Sequence, residues 1–140
     1  MDDEEAIRAV TARLMGSDFL KNYAVEACRD QVIEDMVFFN DTLHIAFNSK
    51  TLSFTNDYAS YCAVKYLVCD DELEFAKGAE FIGVVYKEGK VDDSQGQSHE
   101  TAFADIITSK GVVQLAAHNE HNGYYGGIDF VIELKDATTA

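Results

Sequence analysis

Four histidines and three cysteines are the side chains whose types and spacing could carry chemistry in this chain. His118 and His121 bracket Asn119-Glu120, and His99 stands beside Glu100. Imidazoles with a carboxylate are zinc ligands in kind. In an extended strand, however, residues three apart point to opposite faces, and the helical HExxH spacing is absent. The histidines therefore read as polar residues at an exposed hairpin tip, and no metal or cofactor is expected. A nucleophilic mechanism would need Cys or Ser paired with His. Cys62 and Cys69 sit in apolar stretches, a setting that raises a thiol's pKa and leaves it inert. There is no GxSxG elbow. Gly123, Gly126 and Gly127 follow a turn instead of joining a strand to a helix, so they form turn and bulge positions and no phosphate cradle. No carboxylate spacing singles out an acid–base pair. The expectation is a protein that is not an enzyme.

Residues suited to binding are easier to find. Tyr124 and Tyr125 are adjacent, so on a strand one packs while the other faces outward. An exposed Tyr beside Asn122 and glycines offers large contact area at low entropic cost. The run Asp70, Asp71, Glu72 and Glu74 reads either as a solvated turn or, with Asp92, Asp93 and the acids at residues 2–5, as a patch that imitates phosphate spacing. The whole chain has 11 Lys and Arg against 25 Asp and Glu, a formal net charge of -14. Such a balance disfavours direct nucleic-acid binding, which draws on clustered Lys and Arg. It suits solubility, and it suits a partner with a basic surface.

The elements that must position these residues follow from periodicity. Residues 110–134 read as a long β-hairpin turning at Asn122-Gly123, a pair that tolerates positive φ. Val113, Leu115 and Ala117 alternate with Val112, Gln114 and Ala116; on the return, Ile128, Phe130, Ile132 and Leu134 share one face. Residues 2–15 read as a helix with acids in its first turn, and a second helix follows from Asp18 to about Asp30. Residues 32–55 read as a three-stranded meander with turns at Asn40-Asp41 and 48–50. Residues 61–69 form a strand with few polar residues, placed centrally in the sheet. A single helical turn falls within residues 70–77, strands within 80–86 and 101–108, and residues 88–99 form an exposed loop. The fold expected is α+β: two N-terminal helices packed on one side of a mostly antiparallel sheet of six or seven strands. It is expected as a single domain over 1–140, with a helical part at 1–31 and a sheet part at 32–136. An odd cysteine count without CxxC spacing suggests buried thiols in a reducing cytosol. No signal peptide and no membrane-spanning run is expected, which places the protein in the cytoplasm.

A strand carrying Cys62 after an Asn/Asp turn, a later strand ending in Lys110-Gly111, and the following Asn122-Gly123-Tyr124-Tyr125 resemble a family of small phage and bacterial proteins of unknown function. Their C-terminal half reads "KG, strand, NGYY, strand". The likeness covers about residues 42–134. This chain departs by a single cysteine at Cys62 where the family has a pair, and by its acidic helical N-terminus. The resemblance implies a compact sheet domain, a phage context and no assigned catalytic residues. With the charge, it leads to an expected function: a non-enzymatic inhibitor that binds a basic host or defence protein, such as a nuclease or another nucleic-acid-binding complex. The alternative is a small-ligand or nucleotide-sequestering protein that stacks a base on Tyr124 or Tyr125. The charge argues against it, because a phosphate wants Arg or Lys nearby.

Overall fold

The computed structural model describes residues 17–56, 63–94, 96–123 and 126–136. Helix α1 (Ser17–Ala27) is followed by β1 (Asp35–Phe39), β2 (Thr42–Ala46), β3 (Lys50–Asn56) and β4 (Ala63–Val68). A short 3-10 turn (Glu74–Ala76) leads to β5 (Phe81–Ser94), β6 (Gln97–Thr108), β7 (Gly111–His121) and β8 (Phe130–Asp136). The strands form two four-stranded antiparallel sheets, ordered β1-β2-β3-β8 and β4-β7-β6-β5. Strands β4 to β7 make a Greek key, in which β5, β6 and β7 follow one another and β4 lies beside β7.

This architecture corrects the expected α+β fold. The single sheet of six or seven strands is replaced by two sheets. Among the described residues there is one α-helix, and the helix expected at 2–15 lies outside them. The expected hairpin over 110–134 is also overturned. Its strands exist with the alternation read from sequence, but β7 pairs with β6 and β4, whereas β8 pairs with β3 in the other sheet. A strand has two hydrogen-bonding edges, and both edges of β7 are taken, so the chain must leave the sheet after His121. Strand β4, expected to be central, is an edge strand. The loop expected at 88–99 is the end of a long β5–β6 ribbon, paired as far as Ser94 with Gln97.

The inward faces of both sheets contribute to one hydrophobic cluster. Leu43, Ile45, Phe47, Leu52 and Phe54 come from the first sheet and its turns, and Phe81, Ala104, Ile106, Val113 and Leu115 from the second. Phe47 and Phe81 meet edge to face, with ring centroids 5.8 Å apart, a geometry the ring quadrupoles favour. Asn40 and Asp41 both have positive φ, as a tight two-residue β-hairpin connection requires. The Asp41 carboxylate does more than turn the chain. Its Oδ1 accepts the Leu67 N–H at 2.8 Å and its Oδ2 accepts from Asn56 Nδ2. It thereby fastens the β1–β2 turn to strand β4 of the other sheet.

Helix α1 buries Ala24 and Val25, with Cys28 buried just past its end, and packs over β8 and β5. Its end is held by Lys50 Nζ and Gln31 Nε2, which both donate to the Ala27 carbonyl and so satisfy a carbonyl that the helix leaves unpaired. The segment after the helix then binds the beginning of β5 through Asp30 N–H to Phe81 O and Phe81 N–H to Gln31 O.

Candidate functional site

Three places combine polar chemistry with shape. The first is the end of the second sheet, where β7 runs out. Asn119 and His121 lie on its inward face and are buried. His121 accepts the Gly123 N–H at Nδ1 (3.0 Å), so its own proton sits on Nε2, which donates to Glu100 Oε1 at 3.1 Å. Glu100 Oε2 accepts the Gly127 N–H at 2.9 Å, and Asn119 Nδ2 donates to the Gly127 carbonyl at 3.1 Å. Burial alone would raise the Glu100 carboxyl, but the Gly127 N–H together with His121 and Asn119 holds it below the usual carboxylate range. Ser98 stands opposite His121 in the strand register but donates to Asp93. With both His121 nitrogens engaged, no Ser–His–Glu relay is assembled. The cluster grips the chain as it leaves β7 for the other sheet.

The second place is the outward face of that sheet. His99 Nε2 and His118 Nδ1 are 2.9 Å apart, and Tyr66 stacks on His118 with centroids 4.9 Å apart. The His118 pKa is lowered, by burial first and by His99 second. As expected for residues three apart in a strand, His118 and His121 point to opposite faces. The expectation of an exposed tip is corrected: His121 is buried and His118 half-buried. Among the described residues, no group of three or more His, Cys, Asp or Glu is arranged to hold a metal ion.

The third place is a cleft of about 500 Å³ at the open edge of the sandwich, between α1, the β5–β6 ribbon and the residues entering β8. Lys21 and Asn22 come from the helix, Tyr86 and Glu88 from β5, Ala102 from β6, and Ile128, Asp129 and Phe130 from the other sheet's approach. Lys21 is only 8% exposed and donates to Asp129 Oδ1. Lys87 also lines the cleft, but its ammonium pairs with Asp105 at 2.7 Å. Both lysines are thus neutralised by carboxylates. Tyr86 and Phe130 lie with centroids 6.0 Å apart, and Tyr86 keeps 42% of its surface open. Strand β5 bulges immediately after Glu88. Gly89 at that bulge lies so close to β6 that a Cβ would stand 2.5 Å from the Thr101 carbonyl oxygen. A glycine is required there, and the bulge bends the strand beside the cleft.

The residues expected to bind are scattered. Tyr124 and Tyr125 lie outside the described residues, and Asn122 is exposed in the turn that His121 holds. Asp70, Asp71, Glu72 and Glu74 are all exposed, side by side on the connection from β4 to β5. Asp71 Oδ2 accepts the Gln114 N–H at 2.7 Å, and Glu74 pairs with Lys77 at 3.2 Å. Asp92 and Asp93 do not join them. A strand rises roughly 3.3 Å per residue, so they lie roughly 35 Å along β5 from Phe81, near the opposite end of the ribbon. The acids at residues 2–5 lie outside the described residues. Sequence reading missed Lys21, Tyr86, Glu88 and Asp129, and Gly89, which the structure places inside β5, fell in the loop expected at 88–99. No protein-family model, curated protein or solved structure matches this chain.

Proposed function

We propose that this chain is a non-enzymatic, acidic binding protein that occupies a basic, nucleic-acid-handling partner, in the manner of a phage-type inhibitor. The observation that carries the reading is the exposed carboxylate segment of Asp70, Asp71, Glu72 and Glu74. The segment is short and anchored, by Asp71 to β7 and by Glu74 to Lys77. Exposed Glu34 and Glu80 stand in the neighbouring connections. Lys77 is shared between Glu74 and Asp35, so the local balance stays negative. A fixed row of carboxylates on a chain of net charge -14 steers a basic surface toward it and competes with phosphates for the same groove. The nucleotide-sequestering alternative, which would stack a base on Tyr124 or Tyr125, has less support, because a phosphate wants a free cation beside it and Lys135 is paired with Glu133.

The test begins with capture of the partner from bacterial lysate and continues with its association kinetics. The on-rate falls as salt shortens the Debye length from about 10 Å at 0.1 M to about 3 Å at 1 M. It falls likewise in a variant with Asp70→Asn, Asp71→Asn, Glu72→Gln and Glu74→Gln, and nucleic acid displaces the complex. An on-rate indifferent to both salt and these substitutions refutes the reading.

A further inference from the structure

We propose that Asn122 is a self-modification site, at which His121 is the base that lets the Gly123 nitrogen attack the Asn122 side-chain amide and convert Asn122 to aspartate and isoaspartate. Asn122-Gly123 is the one Asn-Gly pair in the chain. The Gly123 nitrogen is joined to Asn122 Cγ through only three carbons, so a bond between them closes a five-membered ring. Gly123 has a positive φ of 98°, and a Cβ there would meet nothing within 4 Å, so the nitrogen is uncrowded. An ordinary exposed turn lacks a base for the amide proton. Here the Gly123 N–H already donates to His121 Nδ1 at 3.0 Å, within the reach that a general base needs. Glu100 accepts from Nε2 at 3.1 Å. That bond fixes the tautomer and stabilises the imidazolium that forms, as a carboxylate does behind a catalytic histidine. The Glu100 carboxyl lies below its usual range and is therefore ionised at neutral pH. His121 is buried and held, whereas Asn122 and Gly123 are exposed, so water reaches the product ring. Asn122 has a contact of its own, which sets how often rotation brings Cγ to the nitrogen. The Gly123 amide proton passes to His121 Nδ1 as the nitrogen bonds to Cγ. The bond from Cγ to the side-chain nitrogen then breaks, and His121 returns the proton to it, releasing ammonia and leaving a succinimide. Water opens that ring at either carbonyl. The product carries one more carboxylate, and isoaspartate lengthens the main chain by one atom where it leaves β7 for the other sheet.

The experiment incubates the intact chain at pH 7.4, folded and unfolded in urea, and follows residue 122 by tryptic peptide mapping with mass spectrometry. A positioned general base contributes about 10²–10⁴-fold, so the folded chain converts Asn122 at least about tenfold faster than the unfolded one. Asn119, on the same peptide, stays unmodified in the folded chain. Between pH 7 and pH 9 the folded rate levels off, because the base is internal, whereas the unfolded rate climbs with hydroxide. His121→Gln keeps an acceptor for Gly123 and a donor for Glu100 but supplies no base, and its folded chain converts about tenfold more slowly or less. A folded rate equal to or below the unfolded one, a folded rate that rises in proportion to hydroxide through that range, or a folded His121→Gln chain that converts like the parent overturns the proposal. If His121→Gln does not fold, the first two comparisons decide. No partner enters these measurements, so the inference stands or falls apart from the reading of the acidic segment.

Discussion

Replacing Glu100 by Ala tests whether the polar cluster at the end of β7 holds the crossing between sheets. The substitution removes two acceptors at once. His121 Nε2–H loses its partner at 3.1 Å, and its side chain is only 3% exposed, so water cannot readily replace the bond. An unsatisfied buried donor costs about 1–3 kcal/mol. The Gly127 N–H belongs to an exposed residue and can turn to water, which limits that loss to about 0.5–1 kcal/mol. The sum is about 1.5–4 kcal/mol, read as a lower urea midpoint with an unchanged slope. Glu100→Gln keeps one carbonyl oxygen for one of the two donors and costs about half as much. The effect has a pH signature. Because the folded Glu100 carboxyl lies below its usual range, its contribution is present above the ordinary carboxyl value of about 4.3 and is lost as pH falls through the lower folded value. The gap between parent and Glu100→Ala therefore narrows below about pH 4. Hydrogen exchange at the Gly123 and Gly127 amides should accelerate in step. A loss under about 0.5 kcal/mol at pH 7, with exchange at both glycines unchanged, would show that the crossing is held by something else.

Three further outcomes are expected. Asp41→Gly preserves the positive φ of the turn but deletes the bonds to Leu67 and Asn56; thermal or urea unfolding should report a loss of about 1–3 kcal/mol, and a neutral result would mean the clamp between sheets is idle. The lowered His118 pKa makes stability fully present above the ordinary histidine value of about 6.5 and progressively lost as pH falls toward the folded value. His118→Gln should flatten that slope in unfolding measurements between neutral and mildly acid pH, leaving the share owed to His44, whose pKa is lowered by burial and Lys135; an unaltered slope would contradict the assignment. Burial pushes the Cys28 thiol up to about 11 against a partly opposing Lys50, so Ellman's reagent at pH 8 should leave Cys28 unmodified until the protein unfolds, and labelling at the denatured rate would refute it.

The sequence by itself determined where several of the strands lie and which of their side chains face inward. Alternation placed Val113, Leu115 and Ala117 on one side of β7 and Phe130, Ile132 and Leu134 on one side of β8, as the burial pattern bears out. Asn40-Asp41 announced its turn by residue type, and residues 74–76 form the short helical turn expected among the acids. Alternation names a face, however, and not a neighbour. Only the packing of the whole chain decided that β7 would lie between β6 and β4, leaving β8 to pair with β3. The polar stretch at 88–99 concealed a paired ribbon because main-chain bonds extend a strand regardless of side chain once a partner runs alongside. Asn119 and His121 read as surface residues because a buried polar side chain is recognised by its partners, and Glu100 and Gly127 come from other elements. The cleft is the extreme case. It gathers residues from α1, β5, β6 and the start of β8, and the pairing of Lys21 with Asp129, across 108 positions of chain, settles its charge only after the sheets have closed on one another.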